Sequence, residues 1–389
     1  MNMSISETLL KKLQDANIPF ASVAVTDDQE TIFSEHFGTQ IVGEEKAVDS
    51  STIYRIASMT KPIVSLAALL LVQKGSLKLD DYAEDHVTEL KDLKVANLVD
   101  GEIHYEDAKE KITIHHLLAH TSGFAYDFHD PALTKLLADE KIAPLTDKAG
   151  AFMKVPLSYQ PGTKWEYGVG LDWMGVIIEK VSGQSLNAFI KESIFQPLGM
   201  NNSSFDPDDL GKEKLAEMHL MQEAEFIRST ELFDDSVQDF YSGGGGILST
   251  VEDYCKFMRI FLNDGQVDGQ EFLAKELLEK MMTNQAGDLN YDFQPTFNPI
   301  LVKENEWFPE IKKKWSYGFL VNLEDIPERR KAGSLAWSGI FNTYFWIDPE
   351  SKIAGTVMMQ LSPHYDEKCK GILEALEKAV YLELDSLKS

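Results

Sequence analysis

A serine and a lysine three residues apart, in Ser58-Met59-Thr60-Lys61, are the pair in this chain best suited to nucleophilic chemistry. Positions i and i+3 of a helix are neighbours, so the hydroxyl and the amine would share one face within hydrogen-bonding reach. A serine hydroxyl attacks poorly until a base takes its proton. Lysine is such a base only when neutral, which requires burial or nearby positive potential. Pro62 lacks an N–H and is tolerated only near a helix start, which puts Ser58 at the N-terminal end. There the helix dipole disfavours an ammonium and favours a developing oxyanion. This is the only S-x-x-K in the chain, and it opens an apolar helix after Tyr54-Arg55-Ile56-Ala57.

Two further stretches suit the same chemistry. Tyr167, in Tyr159-Gln-Pro-Gly-Thr-Lys-Trp-Glu-Tyr-Gly168, carries a phenol that could relay the serine proton if cationic neighbours favour the phenolate. In Trp337-Ser338-Gly339-Ile340, on a predicted strand, the glycine would let an acyl substrate approach the backbone closely. The Ile340 N–H could then join the Ser58 N–H as an oxyanion hole.

Other chemistries fit less well. No G-x-S-x-G nucleophile elbow occurs, no GxGxxG, and no P-loop, since the run Gly243–Gly246 lacks a following Lys-Ser/Thr. His115-His116-xxx-His120 places two imidazoles on one helix face, but Leu117 stands where a metalloprotease needs glutamate. These histidines are expected to be structural, with no metal and no organic cofactor.

The positioning elements follow from pattern. Leu9, Leu10 and Leu13 recur at helical spacing with Ser6 as N-cap. Phe20–Val25 and Thr31–Phe33 are predicted strands around the turn Thr26-Asp27-Asp28-Gln29. A helix is expected from Ser58 to Lys74, closed by Gly75, and helical patterns dominate from Leu79 to Asp239. Ser249-Thr-Val-Glu252 is a capping-box pattern that starts another helix. Residues 283–314 are irregular; strands are then expected at Trp315–Asn322, Gly333–Trp337, Asn342–Ile347 and Ile353–Gln360, and a last helix at Glu367–Leu384. Strands at both ends with helices between them imply an α/β fold of the α+β type. Its mostly antiparallel sheet, flanked by helices, belongs to a discontinuous domain of residues 1–80 and 241–389. An inserted all-helical domain, 81–240, would sit beside it, with the site in the cleft between.

The 389 residues, 43% hydrophobic, are enough for one large core with a subdomain. No segment reaches the roughly 18 apolar residues of a membrane span. The longest apolar run, Pro62 to Val72, contains Ser65 and stops at Gln73-Lys74-Gly75. With 37 Lys+Arg against 63 Asp+Glu, the charge of −26 repels phosphate backbones, so neither nucleic acid nor membrane is an expected partner. Two cysteines, Cys255 and Cys369, make no disulfide framework. The N-terminus has no basic start, apolar core or cleavage site, so a cytoplasmic location is expected.

The ordered set Ser58-Met-Thr-Lys61, Tyr167 and Trp337-Ser338-Gly339 resembles the three motifs of serine β-lactamases and penicillin-binding proteins. It is most similar to class C β-lactamases and the related family VIII carboxylesterases. Leu117-Leu-Ala-His-Thr-Ser-Gly123, Gln160-Pro-Gly162, Gln196-Pro-Leu-Gly-Met200 and Gly243-Gly-Gly-Gly-Ile-Leu-Ser-Thr250 agree with it, over roughly residues 20 to 380. Trp165-Glu-Tyr-Gly-Val-Gly-Leu-Asp172 is similar to the fungal acyltransferases and esterases that handle statin side chains. The resemblance implies Ser58 as nucleophile, Lys61 and Tyr167 as bases, Ser58 and Ile340 amides as oxyanion donors, and Tyr126 as a pocket-lining residue.

Departures bear on the substrate. The family's β-lactamases usually carry Tyr-x-Asn, where Gly168 and Val169 follow Tyr167 here, and Lys-Thr-Gly, where Trp337-Ser338-Gly339 stands. Both changes remove polar groups that would hold a β-lactam, and the bulky Trp337 suits a neutral acyl or alkyl group. The expected activity is cleavage of a small carboxylic ester. The alternatives are acyl transfer to a non-water acceptor, β-lactamase or D-amino-acid peptidase activity, and a non-catalytic binding role.

Overall fold

Why the chain begins with a helix is set by its first serines. In a computed structural model that describes residues 4–222, 225–229, 240–291 and 293–384, helix α1 spans Ile5–Ala16. Ser4, not Ser6, is the N-cap: its hydroxyl accepts from the Glu7 N–H, and the Glu7 carboxylate accepts from the Ser4 N–H. The cap two residues earlier makes Ile5, Leu9 and Leu13 the buried stripe and leaves Leu10 exposed.

Strands β1 (Phe20–Thr26) and β2 (Thr31–Gly38) form the predicted hairpin. Helix α2 (Thr60–Gln73) is buried from Thr60 through Leu71, as an all-round apolar helix must be. The inserted block departs from expectation. Besides helix α3 (Gly170–Ser182) and shorter helices, it carries a hairpin of β3 (Lys94–Val99) and β4 (Glu102–Asp107). It is therefore not all-helical. Asp100-Gly101 is the reason: both residues have positive φ, 52° and 83°, which matches the two-residue turn that joins tightly twisted strands. The stretch 230–239 lies outside the described residues.

Helix α4 (Val251–Leu262) starts one residue later than the capping pattern suggested, because Thr250 rather than Ser249 accepts from the N3 amide, that of Asp253. The strand expected over 315–322 is two strands, β5 (Lys313–Trp315) and β6 (Leu320–Asn322), around a turn in which the Ser316 N–H donates to Phe319 O. Gly318 in that turn has φ +94°, and a Cβ there would stand 2.8 Å from Pro62 Cα, so the turn is seated against the first turn of α2. Strands β7 (Leu335–Gly339), β8 (Thr343–Asp348) and β9 (Ile353–Met358), then helix α5 (Glu367–Leu382), complete the chain as predicted to within a few residues.

The main sheet has the order β5-β6-β7-β8-β9-β1-β2, antiparallel throughout, so the first strands close onto the last. Every residue of β1, β8 and β9 is buried, which requires cover on both faces. Helix α4 lies on β1 and β9; α5 packs on β9 and against α1. One hydrophobic core runs from this sheet through α2 into α3, so the inserted block shares its packing with the sheet. Among the described residues no helix is long and apolar enough to cross a membrane.

Candidate active site

The residue before the candidate nucleophile sets its direction. Ala57 has φ +46°, a left-handed conformation that costs a residue with a Cβ about 1–2 kcal/mol. The strain is held by hydrogen bonds from several elements. Thr343 Oγ donates to Ile56 O, Tyr254 Oη donates to Met59 O, and Thr60 Oγ accepts from the Ile247 N–H. A short 3₁₀ turn, Ala57–Met59, then leads into α2, and Ser58 is the half-exposed residue of an otherwise buried segment.

Gly339, at the end of β7, lies against this turn. A Cβ there would come within 2.2 Å of Ile56 O and 3.1 Å of Ala57 Cβ. The need for glycine is thus the packing of the strand on the nucleophile turn, rather than the substrate approach expected from sequence. The same packing brings Ile340, the next residue, to the cavities that Ser58 borders.

Lys61 points into a buried polar pocket. Its Nζ is 3.1 Å from Ser58 Oγ, 3.0 Å from Tyr126 Oη and 2.8 Å from Gly244 O. Complete burial brings its pKa down from 10.5 to about 7, opposed in part by the charge of Asp172. A neutral amine has two N–H groups and one lone pair. The Gly244 carbonyl can only accept, so it takes one N–H, which leaves the lone pair for a hydroxyl neighbour.

Asp172, in the first turn of α3, holds that carbonyl in place. Its Oδ1 accepts from the Gly244 N–H at 3.0 Å and from Ser242 Oγ at 2.6 Å. A Cβ on Gly244 would stand 2.4 Å from Asp172 Oδ2, so only glycine fits. Sequence reasoning missed this residue. Its signal was a lone acid in the apolar run Gly-Leu-Asp-Trp-Met-Gly-Val-Ile-Ile, a position where burial demands hydrogen-bond partners.

Tyr167 stands on the other side of Ser58 and hydrogen bonds to it. Its oxygen also accepts from Trp337 Nε1 at 3.2 Å. Burial pushes the phenol pKa far up, so Tyr167 is a neutral phenol and not the phenolate expected from cationic neighbours. The ring is caged by His120, Trp337 and Tyr126, at centroid distances of 5.0, 5.0 and 5.2 Å. His120 accepts the Gly168 N–H on Nδ1, which shapes the loop after Tyr167; His116 completes a capping box with Thr113, and His115 Nδ1 is 2.7 Å from Tyr317 Oη.

All eight sequence-predicted residues converge here, and besides Gly339 and Tyr167 two more change their part. Trp337 is buried and orients Tyr167 through its indole N–H, instead of forming a bare apolar wall. Tyr126 is more than a lining residue, because its hydroxyl is a direct partner of the Lys61 amine. Ser338 faces His364, with Oγ 3.1 Å from Nε2.

Two cavities meet at Ser58. The larger, about 160 Å³, has Phe128, Phe152, Phe205, Tyr241 and Phe341 on its wall together with the charged Arg55, Asp147, Lys148 and Asp206. The smaller, about 30 Å³, is bordered by His129, Tyr167, Gln294, Trp337, Ser338 and His364.

A serine between a buried amine and a buried phenol, set where an antiparallel sheet meets a helical block, is the arrangement of a serine acyl-transfer enzyme. The chain belongs to the beta-lactamase family, whose profile matches residues 6–378. It is 26% identical over 408 residues to monacolin J acid methylbutanoyltransferase of Aspergillus terreus, covering 97% of this chain and 95% of that protein. It is 28% identical over 369 residues to lovastatin esterase of Penicillium rubens, covering 91% of each. The fold is similar to that of simvastatin synthase from Aspergillus terreus in a mutant form, with a TM-score of 0.81 at 25% identity over 98% of this chain and 97% of that one.

Proposed function

We propose that the chain is a carboxylesterase, cleaving small carboxylic esters through an acyl-enzyme on Ser58. The observation that carries this reading is the buried Lys61 amine, 3.1 Å from Ser58 Oγ with a pKa held near 7. Lys61 takes the Ser58 proton as Oγ attacks the ester carbonyl. The amides of Ser58 and Ile340 receive the developing oxyanion. Tyr167, bonded to Ser58, hands a proton to the departing alkoxide. Water then attacks the acyl-enzyme by the reverse proton path and releases the acid.

Esters are preferred over β-lactams because a neutral indole N–H stands where the family's β-lactamases place a lysine. The aromatic and aliphatic part of the larger cavity's wall suits an uncharged acyl group. Acyl transfer to an alcohol is the second reading, supported by the methylbutanoyltransferase relative, and it uses the same acyl-enzyme. The test is a panel of p-nitrophenyl esters beside a chromogenic cephalosporin, with Ser58→Ala as control. Ester turnover that falls at least about a thousandfold in the variant, with slow cephalosporin cleavage, supports the esterase reading. Cephalosporin turnover as fast as ester turnover would contradict it.

A further inference from the structure

The two cavities at Ser58 differ in what they can exchange with a reacting oxygen. Among the described residues, Tyr167 borders the small chamber and not the large cavity. Under the esterase reading, on which this inference rests, Tyr167 protonates the leaving oxygen. By microscopic reversibility it also takes the proton of the attacking one. The entering oxygen therefore approaches from the small chamber, and the acyl chain extends into the large cavity. A volume of about 30 Å³ has room for a water molecule.

His129 also lines that chamber, its ring centroid 6.5 Å from that of Tyr167. Its Nδ1 is 2.6 Å from the carbonyl of Pro295, which can only accept, so the ring hydrogen sits on Nδ1. Burial brings the pKa down to about 4, which keeps the imidazole neutral and Nε2 a bare acceptor. That Nε2 has no hydrogen-bond partner among the described residues. The sequence from which it comes, Phe128-His129-Asp130, immediately precedes a short helix whose N-cap is Asp130, so the histidine backbone is fixed.

We propose that His129 Nε2 orients the attacking water and so commits the acyl-enzyme to hydrolysis over transfer. Water has two hydrogens. One passes to Tyr167, whose own proton left with the alcohol, while Lys61 returns its proton to Ser58 Oγ as the new carbon–oxygen bond forms and the acyl–Oγ bond breaks. The other is held by His129 throughout. An alcohol has a single hydroxyl hydrogen, which must be transferred, so it cannot satisfy both Tyr167 and His129. His129 is thus a specificity-determining residue for the second half-reaction and has no part in the first.

Pre-steady-state turnover of p-nitrophenyl butyrate, with and without methanol, separates the two halves. His129→Asn retains an N–H for Pro295 and lacks the Nε2 acceptor; His129→Leu is a second acceptor-free variant should the first fail to fold. Hydrolysis of the acyl-enzyme is expected to slow about tenfold or more, the acylation burst rate to stay within about twofold, and the methanolysis-to-hydrolysis ratio to rise by the same factor as hydrolysis falls. His129→Gln, which presents an amide near the Nε2 position, is expected to restore part of the ratio. A folded acceptor-free variant with an unchanged ratio, or with acylation and deacylation slowed equally, overturns the inference. Absence of any acyl adduct on wild-type Ser58 overturns the esterase reading and this inference together.

Discussion

At the scale of single residues, the chemistry turns on the protonation of Lys61. Only the free amine can accept the Ser58 proton, and its pKa is near 7. kcat/KM for a neutral ester is therefore expected to climb as pH rises through about 7 and then level off, about tenfold lower for each pH unit below it. A flat profile between pH 6 and 8 would rule out Lys61 as the base. The same shift has a stability signature. The native state releases the Lys61 proton at about 7 while the unfolded chain holds it to 10.5, so wild-type stability rises with pH across that window. Lys61→Met has no such group. Its stability relative to wild type is expected to be most favourable near pH 7 and to decline toward pH 10, measured by denaturant unfolding. Trp337→Phe removes the indole N–H from Tyr167 while keeping most of the aromatic cage. Losing one hydrogen bond of about 1 kcal/mol is expected to lower kcat about fivefold, and the smaller ring in this buried site is expected to lower thermal stability as well.

At the scale of elements, the site depends on close backbone packing between the 3₁₀ turn at Ala57–Met59 and the end of β7. Gly339→Ala would place a Cβ within 2.2 Å of Ile56 O, so the strand or the strained Ala57 turn must move. Such overpacking typically costs about 1–3 kcal/mol. Ester turnover is expected to fall about a hundredfold because Ile340 and Ser58 are separated, and wild-type turnover in that variant would show that the contact does not position the site. This level was only partly legible in the sequence. The Ser58–Lys61 pair could be read because its contact is local, three residues apart, although Ser58 lies in the 3₁₀ turn before α2 and not in the helix expected from Ser58 onward. The antiparallel pairing of the late strands could be read because turn chemistry is also local, whereas the Lys94–Asp107 hairpin was missed. The Asp172–Gly244–Lys61 chain could not be, since it joins three distant segments and nothing in an isolated Gly244 says which carboxylate it touches. The division of 315–322 into two strands was hidden for a related reason: Gly318 turns there to seat against Pro62, far away in the chain.

At the scale of the whole molecule, the closing of the sheet by β1 and β9 brings helices α1 and α5 together and sets the nucleophile helix between sheet and inserted block. Two cavities of unequal size result, and under the esterase reading they give the molecule its selectivity. The large cavity has aromatic and aliphatic side chains over much of its wall, so each methylene of the acyl chain buried against them contributes about 0.8 kcal/mol. kcat/KM is expected to rise about three- to fourfold per methylene from acetate until the roughly 160 Å³ is filled, read from a p-nitrophenyl ester series. A series that falls from acetate onward would place the acyl chain elsewhere. None of this partition was visible in the sequence, where Trp337 stood out for its bulk. Its neighbours His129, Gln294 and His364 come from segments with no motif of their own.

The most direct measurement is to quench the purified protein during turnover of p-nitrophenyl butyrate, weigh it intact and map the adduct by peptide sequencing. One butyryl group on Ser58, absent from Ser58→Ala and removed on further incubation in water, is the expected result. Product release with no adduct, or an adduct on another residue, would contradict the acyl-enzyme mechanism at its centre.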